Sequence, residues 1–391
     1  MTAPVHIVAA RRTPIGRFNG AFADLSSTQL GSIAVAQVLA DSGVDPATVS
    51  EVIMGQVLTA GAGMNPARQS AIGGGLPIGV PAFTVNKVCG SGLKAIHLGA
   101  QSIGAGDAEL VIAGGQESMS QAPHLLAGRL GTKLGDITAI DSIMSDGLVD
   151  AFHHVAMGIT ADRLATSRNV SREAQDSFAL ASHRKAVEAA AAGRFAGEIA
   201  PVTVTERRET RIVASDEQPR ADSTMAALAK LKPAFAADGT VTPGNAASLN
   251  DGAAAVLLAS ERKAAELGLT SLGRIVSCAS AALEPMEMGL GAATAAQRAL
   301  ERAGWRAADL DLIELNEAFA AQALAVARVM DWDLERINVN GGAIALGHPI
   351  GASGCRVVVT LLHEMLRRDV RRGLATLCIG GGQGVAICIE R

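Results

Sequence analysis

The chain has 391 residues, with 34 Lys and Arg against 38 Asp and Glu, for a formal charge of −4. That length suggests two or three domains, and the near-neutral balance argues against a dedicated nucleic-acid binder, which would carry a basic excess. Hydrophobic residues at 49% and charged residues at 18% exclude a disordered chain, while 3% aromatics and no Tyr leave a core of Ala, Val, Leu and Ile and few base-stacking platforms.

The first predicted element is a strand at Val5-His6-Ile7-Val8-Ala9-Ala10. It lacks the charged-then-apolar order of a secretory signal, and no run of ~18 apolar residues marks a membrane span. No Gly-x-Gly-x-x-Gly follows it, which weighs against a dinucleotide-dependent oxidoreductase. The five cysteines, Cys89, Cys278, Cys355, Cys378 and Cys388, are odd in number and contain no C-x-x-C pair. A reducing, cytoplasmic setting is expected, with thiols that are either buried or chemical. No metal-ligand spacing such as H-E-x-x-H occurs, so no metal is expected.

Next comes an Ala-rich helix from Gly31, a stop at Gly43, and a strand at Val49–Met54. The same order recurs from Gly291, with a stop at Gly304 and a strand at Leu310–Leu315. Glycine just beyond a helix accepts the left-handed conformation cheaply and ends it. Two later blocks also repeat: Ser91–Ile96 matches Ser353–Val358, each opening a helix, and Leu110–Gln116 matches Thr376–Gln383. Chance likeness between Ala/Gly-rich helices is the competing explanation, but order and spacing agree over three separate blocks. Strands alternating with helices predict two related α/β halves on a mostly parallel sheet buried on both faces. The halves are expected at 1–118, completed by 249–270, and at 271–391. Between them, 119–248 is an inserted segment with a charge-rich helix capped by Ser171 and a polar stretch at Glu206–Arg211.

Four segments carry groups capable of chemistry. Phe83–Lys94 reads strand, tight turn, helix, and puts Cys89 at a helix N-terminus, where free N–H groups and the macrodipole favour a thiolate. A buried structural cysteine is the plain alternative. Val339–Gly354 sets His348 among glycines just before a helix, able to take a thiol proton or donate to a carbonyl oxygen. Leu377–Gly384 ends a strand at Cys378 and turns through glycines whose N–H groups can face an oxyanion. Asn316, at a strand-to-helix junction, is either an N-cap or a water-orienting amide. Cys278, Cys355 and Cys388 are expected in the core.

Asn-Lys-Val-Cys-Gly-Ser-Gly, Asn-Glu-Ala-Phe, Gly-His-Pro-Ile-Gly-Ala-Ser-Gly and Cys-Ile-Gly-Gly-Gly occur in this order, and the whole chain resembles the thiolase family, closest to its bacterial acetyl-CoA C-acetyltransferase branch. The resemblance implies two repeated βαβ halves with stacked mixed sheets and an inserted loop domain for coenzyme A binding and tetramerisation. It implies condensation of two acetyl-CoA to acetoacetyl-CoA and the reverse thiolysis, with coenzyme A thioesters as substrates and no cofactor. Cys89 becomes the acylated nucleophile, His348 its activator, and Cys378 the acid/base at the α-carbon. Asn316 holds a water that completes one oxyanion site with His348, and the N–H groups of Cys89 and Gly380 form another. Leu148, Met157, Arg220, Ala234, Phe235, Ser248, Ala318 and Phe319 are implied along the coenzyme A path, with Met157 and Met288 closing a short acyl end. Two positions depart from the family pattern: Ala156 stands where His is usual, and Ala247 where a pantetheine-contacting Ser is usual, with Ser248 one place late. The segment from Ser118 to Asp146 resembles the loop through which bacterial members form homotetramers. A longer-chain 3-ketoacyl-CoA thiolase and a non-catalytic acyl-CoA binder on the same scaffold are the other readings.

Overall fold

Apolar runs punctuated by glycine fold here as strand–helix units. In the first half these are β1 (Val5–Arg12), α1 (Ser27–Ser42), β2 (Glu51–Gly55), α2 (Pro66–Gly73), β3 (Ala82–Val85), α3 (Ser91–Ala105) and β4 (Leu110–Ser118). A long excursion containing α4 (Met157–Ser167) and α5 (Arg172–Ala191) then returns to the sheet as β5 (Asn250–Ser260). The second half comprises β6 (Gly273–Ala282), α6 (Gly291–Ala303), β7 (Leu312–Leu315), α7 (Ala320–Met330), α8 (Ile350–Arg368), β8 (Arg372–Ile379) and β9 (Gln383–Glu390). The computed structural model describes residues 4–206 and 209–391, so Arg207 and Arg208 of the polar stretch lie outside the described residues. The expected helix stops are in place, with Gly43 at φ 66° and Gly304 at φ 69°. Ser171 caps α5, its hydroxyl accepting the Ala174 N–H at 3.2 Å.

Hydrogen bonding joins the strands in the order β7-β8-β9-β6-β1-β5-β4-β2-β3, and a short strand at Gly16–Arg17 on β5 completes ten. Between the named strands, parallel pairing joins β2 with β3 and β4, and β7 with β8. The sheet is therefore mixed, where strand–helix alternation alone predicts a mostly parallel one. The reason is local. β8 and β9 are joined by a three-glycine turn too short for a crossover, and β5 returns from the inserted segment antiparallel to β4. Among the described residues the two half-sheets meet where β1 pairs with β6 over Val5–Ile7.

Beyond that join, α3 and α8 fill the space between the halves. Leu93 and Ile96 of α3 and Val357 and Leu361 of α8 share one apolar cluster with Ile53, Val111 and Val256 on one side and Leu377, Val385 and Ile387 on the other. α1 and α2 cover the outer face of the first half, and α6 and α7 that of the second. Successive strand residues face opposite layers, so Val111 points to the central helices and Ile112 to α1. The layers run helix, sheet, helix pair, sheet, helix. Among the described residues no helix is long and apolar enough to cross a membrane.

The central helices touch backbone to backbone at their N-terminal ends. A Cβ on Gly354 would fall 2.3 Å from the Leu93 nitrogen, and one on Gly92 2.7 Å from the Cys355 nitrogen. Gly354→Ala must push the two ends apart. A loss of at least about 1–3 kcal/mol is expected, seen as a lower denaturation midpoint at an unchanged m-value; a wild-type midpoint would refute the close contact.

Candidate active site

Where α3 and α8 begin, four turns converge. The first leaves β3 at Val85 and enters α3 at Ser91, with Gly90 as N-cap, so Cys89 stands just ahead of the helix. Val88 has φ 47°, a left-handed conformation that is rare for a β-branched residue and costs of order 1–3 kcal/mol. It is held by the Ser91 hydroxyl, which donates to the Val88 carbonyl at 2.6 Å and accepts the Lys87 N–H at 2.8 Å. A Cβ on Gly90 would lie 2.3 Å from the Ile379 side chain. The turn is thus pressed against the end of β8, where Cys378 is the penultimate residue.

The two sulfurs are near enough for the Cys89 charge to act on Cys378. The N–H groups of Gly380 and of Cys89 itself face the Cys89 sulfur. Burial outweighs them and pushes the Cys89 thiol up to about 11, while burial drives the Cys378 thiol higher still. The helix N-terminus therefore does not yield the thiolate that the sequence suggests. In the free protein both sulfurs rest as thiols at neutral pH, because apolar walls disfavour the charge. A base is needed.

His348 sits between Gly347, at φ 108°, and Pro349, the N-cap of α8. Its N–H donates to Asn250 Oδ1 at 2.9 Å, and Nδ1 lies 2.6 Å from Ser353 Oγ. The Ser353 hydroxyl also lies 2.9 Å from the Pro349 carbonyl and can donate there, which leaves Nδ1 free to donate to Ser353. In that tautomer Nε2 carries the lone pair and accepts a long hydrogen bond from Asn316 Nδ2 at 3.5 Å. Burial pulls the imidazole down to about 3, which keeps it neutral and available as a base. Outer partners that orient metal-ligating histidines are worth ~10–100-fold in affinity or activity elsewhere, and Ser353 orients His348 in the same way. Ser353→Ala is expected to cost a similar factor in kcat, together with about 1–3 kcal/mol of stability from the buried Nδ1 left unpaired, and wild-type kcat would remove the tautomer argument.

Asn316 is not an N-cap: α7 begins at Ala320, capped by Phe319. Its backbone N–H donates to the Thr376 carbonyl at 3.0 Å, and the side chain is fully buried behind His348. Its Oδ1 has no hydrogen-bonding partner. Burying an unsatisfied amide oxygen costs of order 1–3 kcal/mol, so this position suits a bound water or substrate donor.

Cys89, His348, Cys378 and Gly380 open onto one cavity of about 290 Å³. The inserted segment supplies its roof through Leu148, Met157, Ala234, Phe235 and Ser248, and Met288, Ala318 and Phe319 close it from the second half. Phe235 and Phe319 meet edge to face, with centroids 6.3 Å apart. Phe235 fits because position 158 is Gly, where a Cβ would fall 2.1 Å from its ring. Met157 Sδ lies 3.3 Å from where a Gly380 Cβ would be. Arg220 is exposed and does not line the cavity; its backbone N–H donates to His183 Nδ1 at 3.2 Å. Ala156 and Ala247 both line it, so the two departures make its wall more apolar.

Sequence reasoning missed Met119, Met144, Leu249 and Ile350, all on the cavity wall. Ile350 follows His348 by two residues and was findable from the motif. Met144, in the middle of the inserted segment, carried no signal. Also missed were Asn250 and Ser353, which hold His348 from behind.

Two thiols, a neutral imidazole and paired backbone donors in an apolar chamber define a thiol-dependent, acyl-transferring class of protein, here on a duplicated α/β scaffold. The family model for the thiolase N-terminal domain matches residues 5–262 and that for the C-terminal domain residues 269–391. The chain belongs to the thiolase family. It is 60% identical over 389 residues to the acetyl-CoA acetyltransferase of Pseudomonas aeruginosa, with 99% of each chain covered. It is 57% identical to the probable acetyl-CoA acetyltransferase of Escherichia coli, again over 99% of each. The crystal structure of the Bacillus anthracis acetyl-CoA acetyltransferase superposes with a TM-score of 0.98 at 44% identity, covering 100% of this chain and 99% of that one.

Proposed function

We propose that the chain is an acetyl-CoA C-acetyltransferase, an acyltransferase that condenses two acetyl-CoA to acetoacetyl-CoA and coenzyme A and also runs the reverse thiolysis. The observation that carries this is the meeting of the Cys89 and Cys378 thiols with His348 in one cavity; the names of the full-length relatives agree with it. His348 Nε2 takes the Cys89 proton, and the thiolate attacks the acetyl thioester carbon. Coenzyme A leaves as its thiolate, takes the Cys378 proton and departs as a thiol, which leaves Cys378 charged. The thioester oxygen of a second acetyl-CoA sits against His348, now protonated on Nε2, and a water held by Asn316. Cys378 removes an α-proton, and the enolate attacks the acetyl carbon on Cys89. The N–H groups of Cys89 and Gly380 hold the resulting oxyanion until the Cys89 thiolate is expelled and takes its proton back from His348 Nε2. A sulfur nucleophile suits both steps because it attacks well and leaves well.

On this reading coenzyme A thioesters are substrates and no resident cofactor takes part. Exposed Leu126, Leu130, Leu134 and Ile137 on the inserted segment support assembly through that segment into a homotetramer. Free, unpaired cysteines support a cytoplasmic location. Thiolysis of 3-ketoacyl-CoA chains of increasing length tests the substrate. The four-carbon substrate is expected to exceed the ten-carbon one by at least about tenfold in kcat/KM, given what single methylenes are worth in a closed pocket. The reverse order would make the protein a longer-chain thiolase.

A further inference from the structure

At the end of β4 the fully buried Glu117 has no cationic partner among the described residues. Its oxygens instead accept three backbone N–H groups: Val57 at 3.0 Å, Leu58 at 3.2 Å and Gly351 at 2.9 Å. Gly351 lies in the first turn of α8, three residues after His348, and Val57 and Leu58 belong to the small apolar cluster against which Cys89 packs. The fit leaves no slack, since a Cβ on Gly351 would lie 2.7 Å from the Glu117 carboxylate. Two helices, α3 and α8, point their positive N-terminal ends at the chamber. Glu117 is the negative charge set against them.

We propose that Glu117 is a positioning residue for the thiol chemistry: its buried carboxylate fixes the turn that carries His348 and lays a negative charge beside Cys89. The groups facing Cys89 are the neutral His348, the Cys378 thiol and Glu117; Glu117 itself is faced by Asp251 of β5. Burial, opposed by the three N–H donors, pushes Glu117 up to about 7, and burial pushes Asp251 up to about 6. The charge beside Cys89 therefore switches on near neutrality and disfavours its thiolate.

This inference rests on Cys89 being the nucleophile, and both can be tested with iodoacetamide, reading alkylation at Cys89 by mass spectrometry from pH 5.5 to 9. A thiol with no neighbour changing charge gives a straight line of log rate against pH. The wild-type line is expected to bend downward through neutrality by about three- to tenfold, up to one pKa unit. Glu117→Gln is expected to abolish the bend, lie above wild type at pH 8–9, and lose at least tenfold in kcat for acetyl transfer. Glu117→Asp keeps the charge but not the reach, so it should keep the bend while kcat falls. Asp251→Asn should keep the bend but move it to lower pH, because the Asp251 charge helps to hold the Glu117 carboxyl up. A straight wild-type line, or a Glu117→Gln protein with the wild-type bend and kcat, overturns the inference. If Glu117→Gln does not fold, the wild-type line and the Asp variant still decide. Turnover that survives complete alkylation of Cys89 would instead overturn the proposed function.

Discussion

Cys89→Ala is expected to take up no label from acetyl-CoA and to lose both condensation and thiolysis, with kcat down by about 10⁴–10⁶, the scale seen when a covalent nucleophile is removed. The loss should be this large because the remaining groups offer no substitute. His348 Nε2 is a neutral base of low proton affinity, able to pass a proton but poorly suited to carry an acyl group. Cys378 has its thiol pushed above even that of Cys89. The fold should be kept, since the turn itself is held by the Ser91 hydroxyl, which bonds the Lys87 N–H and the Val88 carbonyl and does not involve the Cys89 side chain. Intact-mass measurement after incubation with acetyl-CoA checks the result. An acetylated Cys89→Ala protein would overturn the assignment.

Cys378→Ala should separate the two half-reactions. Acetyl transfer to Cys89 is expected to survive, because coenzyme A can leave as a thiolate and take its proton from solvent, while condensation falls by about 10²–10⁴, the usual worth of a placed acid/base. The variant should therefore accumulate the acetylated form. Rapid-quench labelling measures acetylation, and a coupled assay measures condensation. If both fell equally, Cys378 would be holding Cys89 in place and not acting on the α-proton. The alanine leaves a small void beside Met157 and Met288 in the second-half core, for which a loss of about 1–2 kcal/mol is expected. A melting curve distinguishes that loss from the catalytic one.

Burial that keeps His348 neutral also shapes stability. A histidine held at about 3 in the folded protein and near its ordinary value when unfolded gives a contribution that is whole above about pH 6.5. It is lost as pH falls toward 3, because the unfolded chain takes the proton first. His97 and His183, both pulled down to about 4 by burial, add in the same window.

The glycine stops at Gly43 and Gly304, the cap at Ser171 and the core places of Cys278, Cys355 and Cys388 were legible because each depends on a residue and its immediate neighbours. The duplicated helix–strand blocks were legible for the same reason. Strand direction was not: whether β5 runs with or against β4 depends on how 131 residues of intervening chain return, and no local pattern records that. The protonation of Cys89 was misjudged because the helix N-terminus is visible in the sequence, whereas the apolar walls opposing it come from Leu148, Leu249 and Ile350, distant in the chain.

By itself the amino-acid sequence determined the local turns, the strand and helix segments, the internal duplication and the residue types able to exchange acyl groups. Those properties are encoded by neighbours along the chain. Only the tertiary structure decided that Cys89 and Cys378, 289 positions apart, share a chamber, that His348 meets Ser353 through Nδ1 and Asn316 through Nε2, and that burial leaves both sulfurs protonated. Each of these depends on which distant atoms exclude water from a site or satisfy its hydrogen bonds, and that is settled only when the two halves close on α3 and α8.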